Sequence, residues 1–347
     1  HFGVVHDADD FPAYQAMESK NGSGPFKWDW DQYKTGESYV VVPHENHYAQ
    51  PLLDAIEVRT VPDEDTRALA LENGEIHGAT VSADMYQRLG AMDGLQKHLG
   101  PSTAYWVIGL VQTHLGGGHP ANDDARFRLA VHKAIDRARL HTDVYAGVGK
   151  PTYQMWPTSS AAYDAAFDKD PWDPEGARKL IQEGGYDGLE MDIFASTNVP
   201  DNAALEIIQS NLKDIGVNLN IKKIEIGDWV DGFLAGQHPG AYAAGTGFFW
   251  CAPETLPNMN FQFRFPENAV ASVTGEYKRI VDAFGAQPTP EQTKKLYNDW
   301  NELWASGPWL HPFHSHSATW ILSDKVKAAV PHPSMVYDFK EEWWLDV

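Results

Sequence analysis

The sequence predicts an α/β fold divided into two domains, and three observations carry that reading. The first is length: 347 residues exceed what one core usually organises, since chains beyond about 250–300 residues tend to split. The second is an amphipathic helix in mid-chain. Phe127, Ala130, Val131, Ala134, Ile135 and Ala138 fall at i, i+3, i+4, i+7, i+8 and i+11, one apolar stripe with arginine and lysine on the other faces. The third is the run over 189–224, which reads as strand, helix and strand. Such a unit favours a parallel pair joined by a right-handed crossover.

Charge and composition narrow the function classes. Lysine and arginine number 27 against 48 aspartate and glutamate, a net charge of -21. Nucleic acid and anionic lipid surfaces are therefore poor partners. An acidic surface of this kind suits solubility, including in salty surroundings, better than it suits one specific cation. The single cysteine, Cys251, excludes an internal disulfide. No apolar run reaches the roughly 18–20 residues needed to cross a bilayer. His1 is not preceded by a basic-then-apolar leader, which is no argument for the cytoplasm.

The elements follow in order. Residues 1–17 read as a loop and a short helix. Gly22, Gly24 and Pro25 make a turn before an aromatic strand, and a second strand follows Gly36, so the pair reads as a hairpin. Residues 53–59 alternate at period two, a half-buried strand. Residues 62–66 can cap a helix over 67–73, which Gly74 ends. A strand rich in aromatic and β-branched residues covers 105–112, and Gly116, Gly117 and Gly118 break the chain after it. Asn122, Asp123 and Asp124 offer the cap of the mid-chain helix, and Gly147 and Gly149 prevent its continuation. Asp173 and Pro174 start a further helix as N-cap and N1, stopped at Gly184 and Gly185. Strands are expected over 189–195 and 217–224 around a helix over 202–215 capped by Gly216. A short helix from Asp228, a buried strand over 241–249, and a helix started by Thr289 and Pro290 complete the reading.

Several of these stretches share wording with one family. Asp124, Arg126, Arg128, Ala130, Ala134, Ile135, Asp136 and Arg137 spell D-x-R-x-R-x-A-x-x-x-A-I-D-R. Residues 22–27 give a G-S-G-P-F-K turn, 71–79 give L-E-N-G-E-I-H-G-A, and 173–186 run from Asp-Pro to Gly-Gly-Tyr. Together they resemble the family 5 extracellular solute-binding proteins of peptide-, nickel- and oligosaccharide-type ABC importers. Ser23, His77 and Gln112 stand where that family usually has Thr, Asp and Asn. The resemblance implies a two-lobed periplasmic-binding-protein-like clamp of type II with lobes joined by hinge strands. It divides the chain into 1–110 in lobe one, 111–309 as an α/β lobe two, and 310–347 returning to lobe one. The segments 113–120 and 309–316 are expected side by side as the hinge. More lobe-one chain would normally precede His1. The function implied is that of a periplasmic or extracellular receptor, free or tethered as a lipoprotein, without cofactor and monomeric. It would close on a solute and deliver it to a membrane permease.

Catalytic readings are weaker. The chain has no Gly-x-Ser-x-Gly elbow, no phosphate-binding Gly-x-x-x-x-Gly-Lys and no His-Glu-x-x-His helix. A secreted hydrolase using an unrecognised carboxylate or Cys–His site is the alternative.

Binding residues follow partly from the residues and partly from the resemblance. On a strand His314 and His316 point to one face, about 7 Å apart. Hydrogen-bonded histidines are the favoured reading over a metal, because two imidazoles alone make an incomplete site. The resemblance places this strand in the cleft, where both rings could meet solute. It also places Trp106, Phe249, Trp250 and Glu254 at the ligand, with Trp250 facing the cleft. Peptide-binding relatives carry an Asp after that Trp to hold the peptide amine; here Cys251, Ala252 and Pro253 intervene before Glu254. No Arg stands just before Trp250. Buried charges without partners are costly, so a neutral, ring-bearing solute such as an oligosaccharide is expected over a free peptide.

Overall fold

In the structure, a computed structural model, the described residues are 24–100, 104–113, 118–197, 202–235, 237–247, 254, 275–315, 317–329 and 342–346. The chain divides into two compact units, His1–Pro101 with Ala318–Val347, and Ser102–Ser317.

In the first unit the expected hairpin forms. Strand β1 (Phe26–Lys34) runs antiparallel to β2 (Ser38–Pro43), which pairs with β3 (Ile56–Arg59). Gly36 at φ 75° makes the left-handed turn between them. Trp28 and Trp30 stack at 4.9 Å. Asp63 caps helix α1 (Glu64–Glu72) by accepting from the Thr66 amide. Strands β4 (Gly78–Thr80) and β5 (Leu95–Leu99), with helix α2 (Ala83–Leu89) between them, complete the first segment. The late segment then inserts β11 (Thr319–Ser323) between β4 and β5, antiparallel to both. Two distant stretches of sequence thus build one small sheet.

The second unit is built on a mixed five-stranded sheet. Its order is β10 (Leu310–Ser315), β6 (Ala104–Leu110), β9 (Ala241–Gly247), β7 (Leu189–Ser196) and β8 (Val217–Ile224). The β7–β8 pair is parallel, as the strand–helix–strand pattern requires. Every residue of β6 is buried, because helices cover both faces. Trp106, Ile108 and Leu110 enter one core with helices α3 (Ala125–Ala134), α5 (Pro174–Gly184) and α6 (Asn202–Asp214). Tyr105 and Val107 enter the other, with Tyr277 of helix α8 (Gly275–Gly285) and Trp300 and Trp304 of helix α9 (Pro290–Ala305). Helix α7 (Ile226–Ala235) adds Trp229 to this second core. Adjacent side chains of a strand point to opposite faces, so one continuous apolar run feeds two cores.

Two expectations need correction. The mid-chain helix does not run through to Ala138. It ends at Ala134; Ile135 is extended (φ -76°, ψ 112°), and Asp136 caps a new helix α4 (Arg137–Asp143) through the Arg139 amide. The stripe stays buried only as far as Ile135, at 0 % exposure; Ala138, in the new helix beyond the break, is exposed. The returning strand β10 takes β6 as its neighbour, with Leu310 opposite Gly109 and Ser315 opposite Tyr105, rather than Thr113 or residues 118–120. Residues 114–117 of the expected hinge segment lie outside the described residues.

Candidate functional site

Periodicity assigned the arginines of the D-x-R-x-R…D-R stretch to outward faces. In the structure Arg128 and Arg137 are buried, at 5 and 0 % exposure. The helix break explains Arg137. The last carbonyls of α3 have no continuing turn to bond them, and the Arg137 Nη1 donates to the carbonyls of His132 and Ile135. Its Nε donates to Thr152 and to Pro312 of β10, and its Nη2 meets His132 Nδ1 at 3.1 Å. Arg128 Nε donates to Gly307, its Nη1 to Asn122 and Asp123, and its guanidinium lies 5.3 Å from the Trp309 ring. Among the described residues no carboxylate forms an ion pair with either guanidinium. Burial holds both below the usual arginine range, at about 10, against the raising influence of Asp170 on Arg137 and of Asp124 and Asp123 on Arg128. Arg126, by contrast, is outward and paired with Asp124 at 2.6 Å.

Four histidines gather on this framework. His311 is fully buried, and neither ring nitrogen has a hydrogen-bond partner among the described residues. The His132 ring lies 5.6 Å from it. His314, 1 % exposed, stacks on Tyr145 at 3.7 Å and meets His141 Nδ1 through its Nε2 at 3.1 Å. Its Nδ1 lies 2.9 Å from the Ser315 carbonyl. A carbonyl can only accept, so His314 Nδ1 carries the proton, its Nε2 accepts, and His141 Nδ1 donates. Both ring nitrogens of His314 are thereby engaged within the unit. Burial pushes His314 down to about 3, and burial, aided by Arg137, keeps His132 and His311 well below the ordinary imidazole range.

Trp106 lies opposite His314 in register and is 9 % exposed within the α3-side core. Glu254 is exposed and accepts a hydrogen bond from the Tyr297 hydroxyl of α9 at 3.1 Å. Burial, then the Glu254 carboxylate, raises that phenol to about 12. The structure brings Trp106 and His314 side by side; Glu254 touches a different element. Phe249, Trp250 and His316 lie outside the described residues, as does Cys251. Among the described residues no three His, Cys, Asp or Glu are grouped to share a metal. A cavity of about 290 Å³ at the Gly240 end of the second unit's sheet is lined by His119, Glu190, Asp192 and Asn220. The sequence reading missed the buried arginines and His132, His141 and His311. Its available signal was a Pro-free helix pattern containing Asp136–Arg137, a cap followed by a cation, in mid-stripe.

The family profile described as "Bacterial extracellular solute-binding proteins, family 5 Middle" matches residues 3–265. The chain belongs to the family 5 bacterial extracellular solute-binding proteins. It is accordingly a solute-binding receptor, and the hydrolase alternative is not favoured. Its relatives are binding proteins rather than enzymes. The glutathione-binding protein GsiB of Salmonella typhimurium is 28 % identical, covering 92 % of this chain and 67 % of that protein. The heme-binding protein A of Haemophilus influenzae is 25 % identical, covering 90 % and 57 %. Among solved structures, DppA of Helicobacter pylori in complex with peptide STSA superposes with TM-score 0.79 at 19 % identity, over 99 % of this chain and 68 % of that one. NikA of Brucella suis in complex with Fe(III)-EDTA gives TM-score 0.79 at 21 % identity, over 94 % and 68 %. These likenesses establish the α/β periplasmic-binding-protein fold. The chain spans about two thirds of the glutathione-binding relative and less of the heme-binding one. No helix among the described residues is long and apolar enough to cross a membrane.

Proposed function

We propose that the chain is the solute-capturing part of a periplasmic or extracellular receptor that hands a small solute to an ABC permease, breaking no bond. The family match over 3–265 carries this reading. Solute held by both lobes would favour the closed arrangement by its differential affinity for it. Ligand contacts from Trp106, Phe249, Trp250, Glu254, His314 and His316 belong to the same proposal, as does the division into lobes. Because β6 and β10 belong to the second unit's sheet, the compact units support boundaries at Pro101/Ser102 and Ser317/Ala318 rather than at the expected 110 and 310. For Trp106 and His314 a contact would require the buried rings to be uncovered.

Relatives named for glutathione and for heme match the chain at comparable identity, so similarity does not choose the solute class. Local chemistry favours a neutral solute. The residues after Trp250 are Cys251, Ala252 and Pro253, none of them an anion for a peptide amine, and the Glu254 carboxylate already accepts from Tyr297. A zwitterionic peptide stripped of water needs such partners. The named relatives with glutathione and peptide STSA supply the second reading, a short peptide. Calorimetry against neutral oligosaccharides, free di- and tripeptides and their N-acetylated forms separates the two. Micromolar peptide binding lost on acetylation overturns the neutral-solute reading. Mass spectrometry of solute released from the purified protein identifies the class directly.

A further inference from the structure

The polar cluster beneath β10 has an unusual charge inventory. Two guanidiniums, Arg128 and Arg137, share a buried region with His132, His311 and His314, all at 5 % exposure or less. The titratable and charged groups around β10 come from every element packed on it. Helix α3 contributes Arg128 and His132, and α4 contributes Arg137 and His141. The 144–173 connection contributes Tyr145, Lys150 and Tyr153, with Asp170 acting on Arg137 only at longer range. Asp123 and Asp124 act on Arg128 in the same way. From α9 the neighbour is Trp304, its ring nearly perpendicular to that of His132 with the centroids 5.3 Å apart, and β6 adds Tyr105 and Trp106. Among the described residues no carboxylate touches any of the three imidazoles.

The same place is a mechanical junction. The Ser315 amide donates to Lys150, the Lys150 amide donates to Ser315 Oγ, and the Thr152 amide donates to Phe313. A Cβ on Gly149 would lie 2.5 Å from Ser315 Oγ, so the strand is held by close approach of the 149–152 backbone. Immediately beyond Ser317 the chain leaves this unit.

We propose that β10 and the 149–152 segment form an acid-operated latch, closed while His132, His311 and His314 are neutral and released when they take up protons. The closed state opposes a charge on any of the three rings, because each is buried and the resident cations are already there without a contacting anion. Once the strand lifts, the rings regain water and bind protons at their ordinary affinity near 6.5. The open state therefore binds more protons, and latch stability is full above that pH and lost as pH falls through it. The latch concerns the second unit alone and does not depend on which solute is carried.

Native-state hydrogen exchange of the full chain tests it. Between pH 7.5 and 5.0, corrected for intrinsic rates, protection of the Ser315 and Thr152 amides should fall about 30-fold for each imidazole that titrates. Protection in β7 and β8 should change less. His311→Phe keeps a buried ring without a proton site and should recover about 30-fold of the loss. Imidazole carbon-bound proton shifts of the wild type supply a check that needs no variant: the three buried rings should remain neutral at pH 5.5 in the closed state. Unchanged protection at Ser315 and Thr152, an equal loss throughout β7 and β8, or titration of the three rings near 6.5 in the folded protein would each overturn the proposal.

Discussion

Arg137 Nε donates to the carbonyl of Pro312 across 2.9 Å and 175 residues of sequence. That bond joins the helix break in the family's D-R motif to the strand β10. Arg137→Ala would orphan buried carbonyls on α3, at Thr152 and at Pro312, each worth about 1–3 kcal/mol when unsatisfied. The expected loss is about 3 kcal/mol or more, read from the midpoint of urea unfolding. Arg137→Lys keeps the charge but not the planar fork, so it should recover only part of the loss.

Asp124 caps α3, bonds Arg126 and accepts from the Tyr186 hydroxyl at 2.9 Å. The Arg126 partner holds its carboxyl down from 3.8 to about 2, burial opposing. Its contribution is therefore present above the ordinary carboxyl range and lost as pH falls toward about 2. Asp124→Ala should cost about 1–2 kcal/mol at neutral pH. The wild type and variant should converge in chemical unfolding near pH 2.

Gly109 of β6 faces the buried Tyr242 ring so closely that an added Cβ would lie 2.1 Å from it. Tyr242 is 0 % exposed and cannot swing into solvent. Gly109→Ala should destabilise by about 1–3 kcal/mol through overpacking, measured as a lowered thermal midpoint.

The net charge of -21 implies self-repulsion that salt screens over about 10 Å at 0.1 M. Raising sodium chloride from about 10 mM to a few hundred millimolar should raise the thermal midpoint. A flat or falling midpoint would place the acidic groups in compensated local pairs instead.

If Trp250 contacts solute, Trp250→Ala should weaken binding by about 2 kcal/mol or more, with the fold kept by circular dichroism. Unchanged calorimetric affinity would remove Trp250 from the site.

Local signals in the chain determined its elements. Asp63, Asp173 and Thr289 cap helices, Gly36 and Gly185 adopt the left-handed turns, and β8 spans the expected 217–224. Such signals are legible because a cap or a turn is decided within a few residues. The family's ordered motifs likewise made the receptor class readable. Tertiary structure alone decided that β11 slides between β4 and β5, since strand partners are chosen by long-range packing. It alone turned Arg128 and Arg137 inward. A 3.6-residue period treats arginine as a surface residue, and only carbonyls left open by a broken helix and a distant strand can hold a buried guanidinium. The same physics separates His314 from the reading of its own strand: alternation gave its face, while Tyr145, His141 and Ser315 decided that both its nitrogens are engaged inside the unit.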